Sequence, residues 1–138
     1  MKRREPVSHI MTKHLHTLNM TNSLEDAERM FKKLKVRHLP VVSGDKLVGM
    51  LSLTDLMRIS FVDSYQDDYQ VDTAVYNLLS LEQVMVRNVQ TIQADTTIKE
   101  AAELLASREF HALPVIENGK LVGIVTTTDL IKFLIEQY

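Results

Sequence analysis

The sequence predicts an α+β fold built from two copies of one small unit, and three observations point to it. Residues from Met11 onward recur from Met85 onward at a constant offset (85 − 11 = 74 and 129 − 55 = 74). Within each copy a helical hydrophobic period is followed by two β-rich stretches and a second helical period. Two copies are also too few for a solenoid, which stacks ~3 or more repeats. We therefore expect the copies to pack on each other as a pseudo-two-fold pair.

The first helix of each copy is predicted by the apolar residues of 24–34 and 98–105, which recur at helical spacing. Ser23 is the predicted N-cap in the first copy. Thr97 and Glu100 are expected to form the better capping box, because a carboxylate at the third helical position can reach back to the cap N–H.

Short strands are predicted before and after this helix. The extended pieces before it are 15–20 and 89–94, and the hairpin strands after it are 36–42, 47–52, 110–116 and 121–126. The dipeptide Asn118-Gly119 tolerates positive φ at both central positions of a tight turn, which favours a hairpin. Pro40 and Pro114 lack an N–H donor, so we expect them at strand starts or edges.

A second helix is expected from about Thr54 and about Thr128, so the domains are predicted at 6–60 and 80–138. The linker over 61–79 contains no Gly or Pro and carries several aromatic residues, so it is predicted to be largely helical. Each copy alone is near the size at which one hydrophobic core is marginal, and the two are therefore expected to fold together.

Composition excludes several classes of function. The chain has a formal net charge of −2 and no cysteine, which excludes thiol catalysis, disulfides and thiolate metal sites. Near-neutral charge argues against nucleic-acid binding, which needs a basic face. No apolar stretch approaches the ~18 residues of a membrane-spanning helix, and the basic start at 1–4 lacks the apolar region of a signal peptide. A cytoplasmic protein without membrane partners is expected.

Both hairpins end in one pattern at the passage from strand to helix: a Gly, two apolar residues, a hydroxyl and, three positions later, an Asp. The first turn of a helix has unpaired N–H groups and a positive dipole end, which suits a phosphate. Hydroxyls can donate to the same anion, and a carboxylate suits the vicinal hydroxyls of a ribose. The candidate residues are Ser52, Thr54 and Asp55 in the first copy and Thr126, Thr128 and Asp129 in the second.

The alternative is that these residues are ordinary helix N-caps, worth about 0.5–2 kcal/mol of stability. Recurrence of the same hydroxyl and the same Asp shifts the balance towards a binding site, although duplication also copies caps. Gly49 and Gly123, which start the two patterns, lack a Cβ and let another backbone or a ligand approach.

These features together resemble a tandem CBS-domain pair. They are the gapless repeat, the Leu-Pro-Val strands, the Lys-Leu-Val-Gly segments and the Gly-to-Asp endings, and they cover nearly everything except the linker. The resemblance implies a βαββα unit, two clefts for adenosine-containing ligands, disc-like dimers and a regulatory, non-catalytic role. Here a stand-alone pair is expected, with AMP, ADP or ATP as ligand and with S-adenosylmethionine or a dinucleotide as further possibilities.

Position by position, the resemblance implies that Asp55 and Asp129 bind ribose and that Ser52 and Thr126 bind phosphate. The base pocket would be lined by Thr17, Leu18, Asn19 and Met20, and in the second copy by Thr91, Ile92, Gln93 and Ala94. Residues around the proline would also face the clefts, namely Arg37, His38, Leu39 and Pro40, and His111, Ala112, Leu113 and Pro114.

The two copies differ in charge before the proline. Arg37-His38 carries a fixed and a switchable positive charge, whereas His111-Ala112 carries only an imidazole. We hypothesise unequal sites, with the polyphosphate end of a ligand drawn towards Arg37 and His38. The histidines at 9, 14 and 16 lack carboxylate or cysteine partners at ligand spacing, so no metal site is predicted.

The sequence thus predicts a regulatory module that binds an adenine nucleotide, forms a homodimer and signals to an unknown regulated protein. The alternative is an interaction scaffold with vestigial clefts, in which the linker aromatics and apolar faces contact a partner. An uncharacterised enzyme ranks far below both, because no nucleophile lies beside a plausible base in the sequence.

Overall fold

The computed structural model of the chain describes residues 4–63, 78–109 and 111–138. After a 3₁₀ turn at Val7–His9, the elements are β1 (Leu18–Asn19), α1 (Leu24–Leu34), β2 (His38–Ser43), β3 (Lys46–Ser52), α2 (Leu53–Asp63), α3 (Leu81–Val84), β4 (Ile92–Gln93), α4 (Ile98–Ser107), β5 (Ala112–Glu117), β6 (Lys120–Thr126) and α5 (Thr127–Glu136). The predicted order of elements in each copy is confirmed. Most of the linker that is predicted to be helical, including its aromatic residues between 64 and 77, lies outside the described residues.

Each copy forms a three-stranded sheet, in the orders β1-β2-β3 and β4-β5-β6. The first strand runs parallel to the middle strand, and the middle strand runs antiparallel to the third. The two hairpins have the same register, with His38 opposite Ser52 and Ala112 opposite Thr126. The predicted Asn118-Gly119 turn is confirmed, with φ of 53° and 78°.

The prediction that the two prolines start strands or lie on edge strands is wrong, because each is the third residue of a middle strand. The reason is visible opposite Pro40. Met50 directs both its backbone N–H and its C=O to Val86, on the far side of β3. The nitrogen of Pro40 therefore points away from β3, and β1 starts only at Leu18, opposite Val41. No ladder hydrogen bond is lost at this position.

The chain divides into two compact units that do not follow the sequence repeat. One unit is His16–Val89, and the other combines Met1–Leu15 with Gln90–Tyr138. Thr12 pairs with Ile124 on β6, and Val86 pairs with Met50 on β3. The first residues of each copy, which we call the exchanged segments, therefore extend the sheet of the other copy. The domains at 6–60 and 80–138 stay a prediction. The compact units of the structure differ from them, because each unit contains the first residues of the other copy.

The exchanged segments also fill the cores. Leu81 and Met85 belong to the core of the unit His16–Val89, and Val7 belongs to the core of the other unit. Val7 is fully buried and is fixed by a hydrogen bond from its N–H to the carbonyl of Thr96 at 2.7 Å. Burial of a side chain of this size stabilises by about 1.5–3 kcal/mol, so the exchange is part of the fold's stability.

The prediction that Thr97 and Glu100 form the better capping box is wrong. Ser23 and Asp26 form the complete capping box on α1, whereas Thr97 only accepts a hydrogen bond from the Glu100 N–H at 3.1 Å. Glu100 stays exposed. The shorter aspartate is held against the Ser23 N–H at 3.0 Å. That hydrogen bond is the main reason why the pKa of Asp26 lies below its usual value.

Candidate functional site

The first candidate site is the corner where β3 passes into α2. The Ser52 hydroxyl accepts a hydrogen bond from the backbone N–H of Asp55 at 3.0 Å. The N–H of Leu53 donates to the carbonyl of Arg37 at 2.9 Å. Since His38 lies opposite Ser52 in the hairpin, the backbone brings the predicted phosphate-binding residues close to the predicted ribose-binding residue. We call this the Asp55 corner.

The carboxylate of Asp55 is engaged only weakly. In the described part of the chain its one charged neighbour is Arg58, whose Nη1 lies 3.7 Å from Oδ1. This distance is too long for a hydrogen bond. The Asp55 side chain is 26% exposed, and no hydrogen bond from the described residues reaches either of its oxygens. Thr54, in the first turn of the same helix, is exposed as well.

The second candidate site is the corner where β6 passes into α5, which we call the Asp129 corner. The N–H of Thr127 donates to the carbonyl of His111 at 3.2 Å, as Leu53 does to Arg37. Here, however, the Asp side chain caps its own helix. The Thr126 N–H donates to Asp129 Oδ2 at 2.9 Å, and the Asp129 N–H donates to Thr126 Oγ1 at 3.2 Å. The predicted alternative of an N-cap is confirmed here with a complete capping box, and at the Asp55 corner for the Ser52 hydroxyl alone.

Thr12 is a functional candidate that the sequence analysis missed. Its hydroxyl donates to the Asp129 carboxylate, 3.2 Å from Oδ1 and 3.4 Å from Oδ2. The residue at the same position of the second copy is Val86 (12 + 74 = 86), so the repeat carried no hydroxyl signal. A contact across so much of the chain becomes visible only when the exchange of segments is known.

The predicted base-pocket residues do not all lie near the corners. Leu18 and Ile92 are buried in the cores of their units. Asn19 pairs with Val42 and Gln93 with Ile116, towards the hairpin turns and therefore away from the corners. The residues Met20 and Ala94 follow in the same direction, while Thr17 and Thr91 precede the strands on the corner side. The ligand contacts of these eight residues stay a prediction.

Several residues around the prolines are used by the fold itself. Leu39 and Leu113 are core side chains, and Pro40, Pro114 and Ala112 are buried. A ligand at either corner could contact these residues mainly through their backbone. The polar side chains that the structure places at the corners are therefore Arg37, His38, Ser52, Thr54 and Asp55, and His111, Thr126, Thr128 and Asp129.

One groove lies near the second set of predicted residues but outside the corner. It has a volume of about 520 Å³, lies between β4 and α4, and is lined in part by Thr91, Ile92 and Gln93. Neither Thr126 nor Asp129 lines it. Over the described ranges, no three histidine or acidic side chains come together as metal ligands. In those same ranges, no helix is both long and apolar enough to cross a bilayer.

Comparison with known proteins identifies the family of the chain. The family model of the CBS domain matches the chain twice, at residues 7–61 and 81–136. A homoserine O-acetyltransferase of Methanohalobium evestigatum is 33% identical over 134 residues, which is 96% of this chain and 24% of that protein. The chain spans less than half the length of the first three curated relatives that it matches.

Two solved structures resemble the chain over most of both lengths. The crystal structure of CBSX2 from Arabidopsis thaliana in complex with AMP has a TM-score of 0.81 and 25% identity, covering 96% of this chain and 98% of that one. The CBS domain pair of protein MJ0100, in complex with 5-methylthioadenosine and S-adenosyl-L-methionine, has a TM-score of 0.77 and 25% identity, covering 96% and 98%. The duplicated sheets, the twin strand-to-helix corners and the two family matches establish that this chain belongs to the CBS-domain family as a tandem pair.

Proposed function

We propose that this chain is a non-catalytic regulatory module that binds an adenine nucleotide and signals its occupancy to a partner protein. The observation that carries the proposal is the Asp55 corner. There a carboxylate that accepts no hydrogen bond from the described residues lies beside a hydroxyl at a helix N-terminus. The ligands named in the solved CBS pairs, AMP in one and S-adenosyl-L-methionine in the other, support the choice of an adenosine compound.

The chemistry of the Asp55 corner suits the two polar parts of a nucleotide. A ribose can donate both vicinal hydroxyls to the two oxygens of Asp55. The Ser52 hydroxyl accepts from the Asp55 N–H, and its own proton, for which the described residues provide no acceptor, can be donated to a phosphate oxygen. Arg37 and His38 lie at the same corner, as the unequal-site hypothesis requires, and the Arg37 guanidinium supplies positive charge for a longer phosphate chain. Signalling needs different ligand affinities for two arrangements of the module or of its dimer.

A thermal-shift panel tests this function. AMP, ADP, ATP, S-adenosylmethionine and NAD are each added to the intact chain. A nucleotide at ~100 times its Kd should stabilise by ~2.7 kcal/mol, which corresponds to a rise in Tm of several degrees. GMP at the same concentration is the matched control for a purine ribonucleotide with the wrong base. No rise with any adenosine compound would contradict the proposal.

A scaffold function is the second candidate, and one observation favours it. The Asp129 carboxylate is taken up by Thr126 and Thr12, so that corner is partly filled by the protein's own side chains. A scaffold with vestigial sites predicts no Tm change with nucleotides and a partner bound in their absence. The same thermal-shift panel therefore separates the two functions.

We propose that the chain forms a homodimer through α5. No residue of α5 is fully buried, and Ile131 and Ile135 are 57% and 66% exposed on the same face, one turn apart. Exposed apolar side chains in such a cluster are typical of an interface. Ile135→Glu should convert a particle of twice the chain mass into a monomer, as measured by light scattering after gel filtration. Lys132→Glu on the same helix is the control; a monomeric wild type would contradict the proposal.

A further inference from the structure

We infer that Thr12 lowers the nucleotide affinity of the Asp129 corner by occupying the carboxylate that a ribose needs. This inference rests on the proposed nucleotide-binding function and deepens it. Thr12, in the exchanged segment at 5–12, would make the nucleotide affinities of the two corners unequal. This effect is independent of Arg37 and His38. The Asp55 corner is then the tighter site.

The hydrogen bonds of Asp129 leave little room for another donor. Its Oδ2 accepts from the Thr126 N–H at 2.9 Å, from the Thr126 hydroxyl at 3.2 Å and, at 3.4 Å, from Thr12. Its Oδ1 accepts from the same Thr12 hydroxyl at 3.2 Å. A carboxylate has about four acceptor positions. A ribose diol, which donates two hydrogen bonds, therefore has to displace a donor at this corner.

Thr12 is held in place by its backbone. Its N–H donates to the Ile124 carbonyl at 2.8 Å, and its own carbonyl accepts from the Ile124 N–H at 3.1 Å. The hydroxyl can therefore leave Asp129 only by rotation of the side chain or by movement of the segment. Either change loses a hydrogen bond to a charged acceptor, a type stronger than a neutral one.

The other corner lacks this donor although its backbone is the same. Val86 forms the equivalent pair of hydrogen bonds with Met50, at 3.0 Å and 2.9 Å. Its isopropyl group cannot donate to Asp55, whose carboxylate meets only Arg58 within the described residues. The chain thus carries a Thr and a Val at matched positions, and they are of nearly equal shape.

Exchange of these two residues is the test, with AMP as the probe and isothermal titration as the measurement. The Asp129 corner is isolated with Asp55→Ala, and the Asp55 corner with Asp129→Ala. In the first background, Thr12→Val should lower the Kd for AMP by about threefold to tenfold, the effect of losing one competing hydrogen bond. In the second, Val86→Thr should raise the Kd by a similar factor.

Thr12→Ser keeps the hydroxyl and is the control that separates donation from shape. It should leave the Kd at the Asp129 corner close to that with Thr12. An unchanged or higher Kd in Thr12→Val overturns the inference, and so does the absence of AMP binding at this corner both before and after the Thr12→Val substitution. If the unsubstituted chain binds AMP but the exchange has no effect, only the inference fails. If no adenosine compound binds the unsubstituted chain, the proposed function fails first, and the inference with it.

Discussion

Alanine at Gly49 or Gly123 should destabilise the fold by about 1–3 kcal/mol, the usual cost of overpacking. A Cβ at Gly49 would lie 2.5 Å from Met85 Sδ and 2.9 Å from the carbonyl oxygen of Val86. A Cβ at Gly123 would lie 2.5 Å from Met11 Sδ and 3.2 Å from the carbonyl oxygen of Thr12. Both glycines therefore allow the exchanged segments to approach closely. The sequence analysis expected another backbone or a ligand at these positions, and the structure places another backbone there.

The two Gly→Ala variants should differ in how much stability is restored when the methionine next to the new methyl group is also replaced by alanine. Met11→Ala removes the flexible side chain above Gly123 and leaves a carbonyl contact of 3.2 Å, which a small shift can relieve. Met85→Ala leaves the backbone oxygen of Val86 at 2.9 Å from the new methyl group. Urea unfolding of each single and double variant measures the difference. Gly123→Ala should cost little in the Met11→Ala background, whereas Gly49→Ala should still be costly in the Met85→Ala background.

Each methionine variant alone is the reference for its double variant, because removal of a core side chain is itself destabilising. Since Met85 is buried and Met11 is half-buried, Met85→Ala should be the more damaging of the two. For Gly49→Ala, a free energy of unfolding within about 0.5 kcal/mol of the unsubstituted chain would contradict the close contact.

Asp55→Ala should weaken nucleotide binding by about tenfold to a hundredfold, as expected when hydrogen bonds to a charged group are lost. It should do so with little loss of stability. The cap hydrogen bond at this corner runs from the backbone N–H of Asp55 to Ser52, and alanine retains that N–H. Titration of AMP into the variant measures the affinity, and thermal unfolding without ligand measures the stability.

Asp129→Ala is the matched control at the other corner and should give the opposite pattern. It removes the acceptor for the Thr126 N–H and for Thr12. The unliganded protein should therefore lose about 0.5–2 kcal/mol, the range for an N-cap. Binding at the Asp55 corner should be retained. Equal losses of affinity in both variants would contradict the assignment of Asp55 to the tighter site.

The order of elements could be predicted because each depends on local signals. The helical period of 24–34 and the Asn118-Gly119 turn are examples, and both are confirmed. The place of Pro40 could not be predicted in the same way. Its tolerance in a middle strand depends on the hairpin register, which turns its nitrogen away from β3, and on β1, which pairs with β2 only from Val41 onward. Long-range pairing of this kind leaves no periodic trace.

The sequence marked the two corners and a difference in charge between them, but not the different engagement of their two carboxylates. The repeated hydroxyl and Asp marked both corners, and the hairpin register brings Arg37, His38 and Ser52 together as the sequence suggested. The sequence treated Asp55 and Asp129 alike, since their local patterns are nearly the same. Only the distances show that one carboxylate is open and the other is engaged by Thr126 and Thr12.

The exchanged segments also have a consequence for the origin of such a duplicated chain. In a molecule with only one repeat, the methionine could pack against the matching glycine only in a second molecule, as in a domain-swapped dimer. Fusion of two such genes keeps every contact and adds only a connecting peptide. Once fused, the halves can accumulate different mutations, which a dimer of identical chains cannot. Thr12 and Val86 are one such pair of matched positions that differ within this chain.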